Sequence, residues 1–284
     1  MIGFIGLGTL GRTIAERLIS KGEDLIVWNR TPEKAKGLKA KVAQNPKDLA
    51  EKVDIIFVIV FDSQASEEVI FGKDGISTTD IKGKIIVDMT TNHPAYSVLA
   101  YEELMKAGAY YIDAPVLGSV MPAKEGKLTM LASGNEKAFN DIKPLAEKFC
   151  SNIFFLGKAG NASKMKLINN MVLGGFMEVI AEAVAIGEHL GFEKEKVIEI
   201  ISKGAGKSAI LDAKKEKLLR EDFSTHFSVD LIYKDLHYAQ DMLKENKLFS
   251  FTLSVIKESF GVARNKGLGD LDFSSVYKVF KDQK

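Results

Sequence analysis

Apolar residues alternate with polar ones along the chain in two different rhythms. Ile2, Phe4 and Ile5 make a short strand pattern, the glycines of Gly6-x-Gly8-x-x-Gly11 follow, and Ile14, Ala15, Leu18 and Ile19 then recur at helical spacing before a second apolar run, Leu25 to Trp28. The same alternation continues to about residue 157. Val53 to Val60, Ile85 to Asp88, Tyr110 to Asp113, Leu128 to Ala132 and Ile153 to Leu156 read as strands. Asn45-Pro46 has the form of a helix start, and Ala95 to Lys106 reads as an amphipathic helix. Strands alternating with helices predict a doubly wound sheet. From about residue 162 the strand pattern ends; Lys164 to Leu190 is a long helical pattern with Gly174-Gly175 inside it, and helical segments follow to the C-terminus. The expectation is an α/β chain: an N-terminal doubly wound domain over residues 1–161 and an all-α domain over 162–284, joined by a long helix. Gly157 to Gly160 reads as a hinge or helix lead-in.

Composition narrows the function classes. With 284 residues, 46% of them hydrophobic, the chain has material for two ordinary domains with substantial cores. A net charge of +1 with interspersed lysines and acids gives no electrostatic reason to bind nucleic acid or an anionic membrane. The most apolar run, Ile55 to Phe61, is too short to span a bilayer and reads as a buried strand. The N-terminus opens directly on structure, so a cytoplasmic location is expected. Cys150 has no partner for an internal disulfide; following Phe149 at the end of an apolar helix, it reads as core. His93, His189, His226 and His237 lack metal-ligand spacing, and no metal site is expected.

The opening segment carries the clearest chemistry. Between a strand and a helix, Gly6 allows a tight turn, Gly8 lets backbone approach a pyrophosphate, and Gly11 allows close packing of helix on strand. Gly6, Leu7, Gly8, Thr9, Leu10 and Gly11 are thus the expected phosphate cradle, with the helix N-terminus facing the anion. After the second strand, where an acidic residue serves the ribose hydroxyls in many NAD sites, this chain has Asn29-Arg30-Thr31. A guanidinium forks onto a phosphate and a threonine adds a donor, so NADP (NADPH) is expected, with NAD the lesser expectation. The alternative is a solvated Arg30 and a Thr31 that merely caps the helix begun by Pro32. Strand ends in this fold face the cofactor, which adds Val60, Phe61, Asp62 and Thr91 to the lining, unless these are ordinary capped loops.

Asp113 to Ser119 is a strand end and glycine turn whose backbone N–H groups suit a substrate carboxylate, the alternative being a purely structural turn. Lys166 and Asn170 lie at i and i+4 of one helix, so an ammonium and an amide can converge on one small ligand. A lysine there can donate a proton to a carbonyl oxygen as hydride arrives, and burial beside a cationic nicotinamide favours its neutral form. On a surface helix the same residue would only aid solubility, as neighbouring Lys164 illustrates. Lys234 and Asp235 open a later helix; Lys234 reaches the cleft and Asp235 orients other groups, or the two form an exposed ion pair of little energetic weight. The long helix, apolar on more than one face, predicts a homodimer or homotetramer, the alternative being a plain core helix of the monomer.

Together these segments resemble the β-hydroxyacid dehydrogenase family, across nearly the whole chain. The matching stretches are GFIGLGTLG at 3–11, DMTT at 88–91, DAPVLGS at 113–119, GKAGNASKMKLINN at 157–170 and YKDL at 233–236. The resemblance implies an N-terminal Rossmann domain, an all-helical C-terminal domain and oligomers formed through the helical part. It also implies Lys166 as general acid/base, Asn170 orienting substrate, the loop at Leu117, Gly118 and Ser119 holding a carboxylate, and Lys234 and Asp235 completing the site. One departure stands out: the family places a serine after D-A-P-V, and this chain has Leu117. VFDSQA and PAKEG resemble the glyoxylate and succinic semialdehyde reductase branch, which favours NADPH. The expected substrate is therefore a small carboxylate-bearing aldehyde or hydroxy acid. The alternatives are a 3-hydroxyisobutyrate-type dehydrogenase, an imine reductase and a catalytically silent NADP-binding scaffold.

Overall fold

The structure, a computed structural model, describes residues 1–283. The chain divides into two compact units that part between Lys166 and Leu167. In the first, nine strands form one sheet: β1 (Ile2–Ile5), β2 (Leu25–Trp28), β3 (Lys41–Val42), β4 (Ile55–Val58), β5 (Ile85–Asp88), β6 (Tyr110–Asp113), β7 (Val116–Leu117), β8 (Leu128–Gly134) and β9 (Cys150–Phe155). Their order is β3-β2-β1-β4-β5-β6-β8-β7, with β9 beside β8. The first six run parallel, and the order reverses between β1 and β4, where a doubly wound sheet opens its binding crevice. Beyond β6 the directions mix, because β8 pairs antiparallel with β6 and β7 but parallel with β9. The two-residue strands β3 and β7 are too short to show a period-two pattern, which is why the sequence reads them as loop.

Helices α1 (Thr9–Ser20), α2 (Pro46–Ala50), α3 (Ser63–Phe71), α4 (Pro94–Lys106), α5 (Val120–Glu125) and α6 (Glu136–Ala146) cover this sheet. They feed two separate cores: Ile14, Leu18, Ala123 and Ile142 pack in one, and Leu49, Val69, Ala100 and Leu104 in the other. Ile14 and Leu18 are fully buried, each contributing roughly 1.5–3 kcal/mol of transfer free energy. Asn45 caps α2 by accepting from the Asp48 N–H at 2.7 Å, with Pro46 in the first turn, as its sequence form predicts. Cys150 is core as expected, but it opens β9 and does not end a helix; burial pushes its thiol up to about 12.

α7 (Asn161–His189) begins in the first unit and supplies the spine of the second, which also contains α8 (Lys194–Lys203), α9 (Ala209–Arg220), α10 (Val229–Glu245), α11 (Phe251–Ala263) and α12 (Tyr277–Lys281). By length and composition α7 is the one helix among the described residues apolar enough to cross a membrane. Its Leu167, Met177, Ile180, Ala181 and Val184 are instead buried in the core of the helical unit. The two glycines in α7 have a packing reason: a Cβ at Gly174 would meet Ile256, Leu236 and Ile232, and one at Gly175 would meet Ile256 at 3.0 Å. α10 and α11 can therefore approach the α7 backbone closely.

Candidate active site

The glycine turn between β1 and α1 has a space above it. Gly6 has φ +96°, and a Cβ there would lie 2.0 Å from the Ile59 carbonyl oxygen; one at Gly11 would lie 2.2 Å from the Gly6 oxygen. At Gly8 a Cβ would meet nothing within 4 Å. Two glycines are thus demanded by the fold, and the third faces open room. The first helical bond of α1 runs from Arg12 N–H to Gly8 O, and no side chain caps the helix, leaving first-turn N–H groups as donors toward an anion. Thr9 and Leu10 line this rim, whereas buried Leu7 gives its N–H to the Asn29 side chain at 2.7 Å. These residues fit a dinucleotide pyrophosphate.

Asn29 also donates to the Thr31 carbonyl, so its amide braces the end of β2 against the turn. Arg30 is exposed and makes no ion pair among the described residues, and Thr31 precedes a short 3₁₀ turn without capping it through its side chain. Their side chains remain usable by a ligand phosphate. The segment that follows is held by Arg12, whose guanidinium donates to the carbonyls of Lys34 and Lys36 at 2.7 and 3.2 Å. Arg12 escaped the sequence reading because its partners are backbone atoms more than twenty residues away.

At the ends of β4 and β5, Val60 N–H donates to Thr90 Oγ1 at 3.0 Å, stitching the two loops together. Phe61 is half exposed and Thr91 partly so. Asp62 uses its carboxylate to cap α3, accepting from Ala65 N–H at 2.8 Å, so the capped-loop alternative describes this side chain. Beneath the loop, Asp88 is fully buried and accepts from Ser66, Thr90 N–H, Asn92 and Tyr111. Burial raises its pKa against these hydrogen bonds.

Lys166 is the decisive side chain of this unit. It is only 8% exposed, while Lys164, two residues earlier on α7, is exposed. The solubilising reading therefore fits Lys164 and fails for Lys166. The Lys166 ammonium donates to the Val116 carbonyl at 2.8 Å, one residue before Leu117, Gly118 and Ser119. Gly118 has φ +109°, which turns the chain sharply into α5. Ser119 precedes α5 without capping it through its side chain, and Leu117 is half-buried at the end of β7 opposite Thr129.

Asn170 lies one turn beyond Lys166 on α7, fully buried in the helical unit. Its Nδ2 donates to Asp235 Oδ2 at 2.6 Å, and its Oδ1 accepts from Asn169 at 3.2 Å. Asp235 is 1% exposed, with the Lys234 ammonium 2.9 Å from Oδ1. That ammonium approaches off the hydrogen-bonding direction, so Oδ1 has an ion pair without a hydrogen bond. Lys234 also lies over the Tyr238 ring at 5.2 Å. The exposed-pair alternative is thus corrected: Asp235 is a buried brace for the Asn170 amide, and Lys234 neutralises it. No group of His, Cys, Asp and Glu suited to a metal occurs among the described residues.

Residues 1–157 match the NAD binding domain of 6-phosphogluconate dehydrogenase, and residues 160–280 match the NAD-binding domain of NADP-dependent 3-hydroxyisobutyrate dehydrogenase. The chain is 31% identical to the chloroplastic glyoxylate/succinic semialdehyde reductase 2 of Arabidopsis thaliana, over all of this chain and 80% of the relative. Among solved structures it superposes on 3-hydroxyisobutyrate dehydrogenase from Salmonella typhimurium with a TM-score of 0.89 at 25% identity, covering 98% of this chain and 99% of that one. It also superposes on Psf3 in complex with NADP+ and 2-OPP, with a TM-score of 0.91 at 26% identity and the same two coverages. With the glycine cradle, the mostly parallel sheet, the all-helical second unit and both halves matched, the chain belongs to the β-hydroxyacid dehydrogenase family and is an NAD(P)-dependent hydroxyacid dehydrogenase acting on a CH–OH group.

Proposed function

We propose that the protein reduces a short aldehyde-acid of the succinic semialdehyde or glyoxylate class to its hydroxy acid, preferring NADPH. The observation that carries the reading is the buried Lys166 ammonium beside the Val116 carbonyl, at the entrance to the Leu117–Ser119 turn. When bound, the nicotinamide supplies the hydride. Lys166 donates its proton to the carbonyl oxygen as that oxygen gains charge, and recovers one from solvent after product leaves. Backbone N–H groups of Gly118 and Ser119 hold the remote carboxylate, which orients the carbonyl more than it activates it. Asn170, braced by Asp235, fixes the substrate oxygen, and Lys234 adds positive charge for the anionic reactants. Arg30 and Thr31 hold the 2′-phosphate of NADP.

A second copy of the chain covers the outer face of α7. Ile168, Val172, Phe176 and Val179 recur there at helical spacing and are 47–60% exposed, an apolar stripe that a homodimer or homotetramer buries. Light scattering of the wild type tests this assembly directly. The catalytic reading is tested by NADPH oxidation over a panel of aldehyde-acids with wild type and Lys166→Ala. Loss of turnover by about 10²–10⁴-fold with NADPH binding intact supports the assignment; wild-type turnover in the variant removes it.

A further inference from the structure

A buried strand-end carboxylate holds the first turn of α7. Asp113, the last residue of β6, is fully buried. Its Oδ1 accepts from Ser163 Oγ at 2.7 Å, and its Oδ2 accepts from Ser163 N–H at 3.0 Å and from Ser133 Oγ at 3.2 Å. Ser133 Oγ in turn accepts the Ala162 N–H at 3.1 Å. Ser163 Oγ, its own proton given to Asp113, is 3.0 Å from Ser97 Oγ, which then acts as donor. Two of the donors that a helix leaves unpaired at its start are thereby tied to the sheet. An anion at this end is also favoured by the helix dipole.

The same offset recurs three residues on. Asp113 bonds Ser163 and Val116 bonds Lys166, so the segment 113–116 runs alongside the first turn of α7 and is strapped to it at both ends. Ser163 and Lys166 are three apart, on one face of the helix. The Asp113 strap sets the rotation and height of this face, and the lysine stem inherits both.

We infer that Asp113 is a positioning residue for proton transfer, acting through Ser163 to hold Lys166 at the carbonyl oxygen of the substrate. This rests on Lys166 being the proton donor. A general core anchor would affect folding and cofactor binding together, whereas a positioning residue affects the chemical step alone, because small displacements of a reacting group are costly.

The test compares Ser163→Ala, Asp113→Asn and Lys166→Ala as full-length enzymes, measuring kcat and KM for the aldehyde-acid, NADPH dissociation by fluorescence, and thermal midpoint. Ser163→Ala keeps the backbone strap and removes only the hydroxyl, so it remains informative if Asp113→Asn does not fold. The expected result for Ser163→Ala is a kcat lowered at least ten-fold, with KM and NADPH dissociation within about three-fold of wild type. Wild-type kcat in Ser163→Ala alongside an inactive Lys166→Ala overturns the positioning role and leaves the proton donor standing. A kcat loss matched by an equal loss of NADPH affinity also overturns it, in favour of a structural anchor. Wild-type turnover in Lys166→Ala removes the donor itself, and this inference with it.

Discussion

Asp88 and Asp113 stand side by side at the carboxyl ends of β5 and β6, partners in parallel register and both without solvent exposure. Neither forms a salt bridge with a lysine or arginine among the described residues. Each is held by hydroxyl and N–H donors, and desolvation is the largest influence on both, raising Asp88 and pushing Asp113 up to about 6.

A pH dependence follows. A carboxyl whose pKa is higher folded than unfolded keeps its proton more firmly in the native state between about 3.8 and 6. Unfolding in that window releases a proton, so stability is greatest below it and declines as pH rises through it, by about 3 kcal/mol for Asp113. Above about pH 6 the contribution is flat. Urea unfolding at pH values from 4 to 8 should show this decline superimposed on the other carboxylates, and Asp113→Asn should reduce it, leaving the part that Asp88 contributes. An unchanged slope in the variant would assign the titration elsewhere.

The three glycines of the turn should separate folding from binding. Gly6→Ala places a Cβ 2.0 Å from a backbone oxygen at a positive φ, and Gly11→Ala places one 2.2 Å from another; both should lower the thermal midpoint sharply or prevent folding. Gly8→Ala meets open space in the protein and should melt like wild type, yet bind NADPH at least ten-fold more weakly because the methyl occupies the pyrophosphate's approach. Calorimetry and fluorescence titration check the pair of outcomes. A Gly8→Ala variant with wild-type NADPH affinity contradicts the cradle.

Arg30 presents an exposed guanidinium with no ion pair among the described residues, and the proposed function gives it the 2′-phosphate of NADP. Arg30→Ala should weaken NADPH by about 1.5–3 kcal/mol, the range for hydrogen bonds to charged groups, while leaving NADH nearly unaffected. Side-by-side titration with the two cofactors measures the difference, and parallel losses for both would show that Arg30 does not read the 2′-phosphate.

Leu117 occupies the place where the family carries a serine, half-buried beside the turn read as the carboxylate holder. Leu117→Ser should lower KM for the smallest aldehyde-acids by about ten-fold or more, the low end for one added hydrogen bond to a charged group, and raise it for longer, less polar ones. A KM series over chain lengths decides; a uniform change across the series would place Leu117 away from the substrate.

Local order fixed much of what could be read directly. The βαβ opening, the strands Leu25–Trp28, Ile85–Asp88 and Tyr110–Asp113, and the long helical segment all lie where their apolar period places them, because periodicity is a property of neighbours in the chain. The Gly6-x-Gly8-x-x-Gly11 motif carries its meaning within one turn and its two flanking elements. The chain alone also showed that Lys166 and Asn170 share a helix face, since four residues make about one turn. It was silent on burial: Lys164 and Lys166 are the same residue type two positions apart, and packing alone makes one a surface cation and the other a buried donor to Val116. Tertiary structure likewise chose between the two readings of Asp235, making it a buried brace for Asn170 and not half of a surface pair, and it joined Asp113 to Ser163 across fifty residues. Such contacts depend on where separate elements come to rest against each other, and no spacing within one element encodes that.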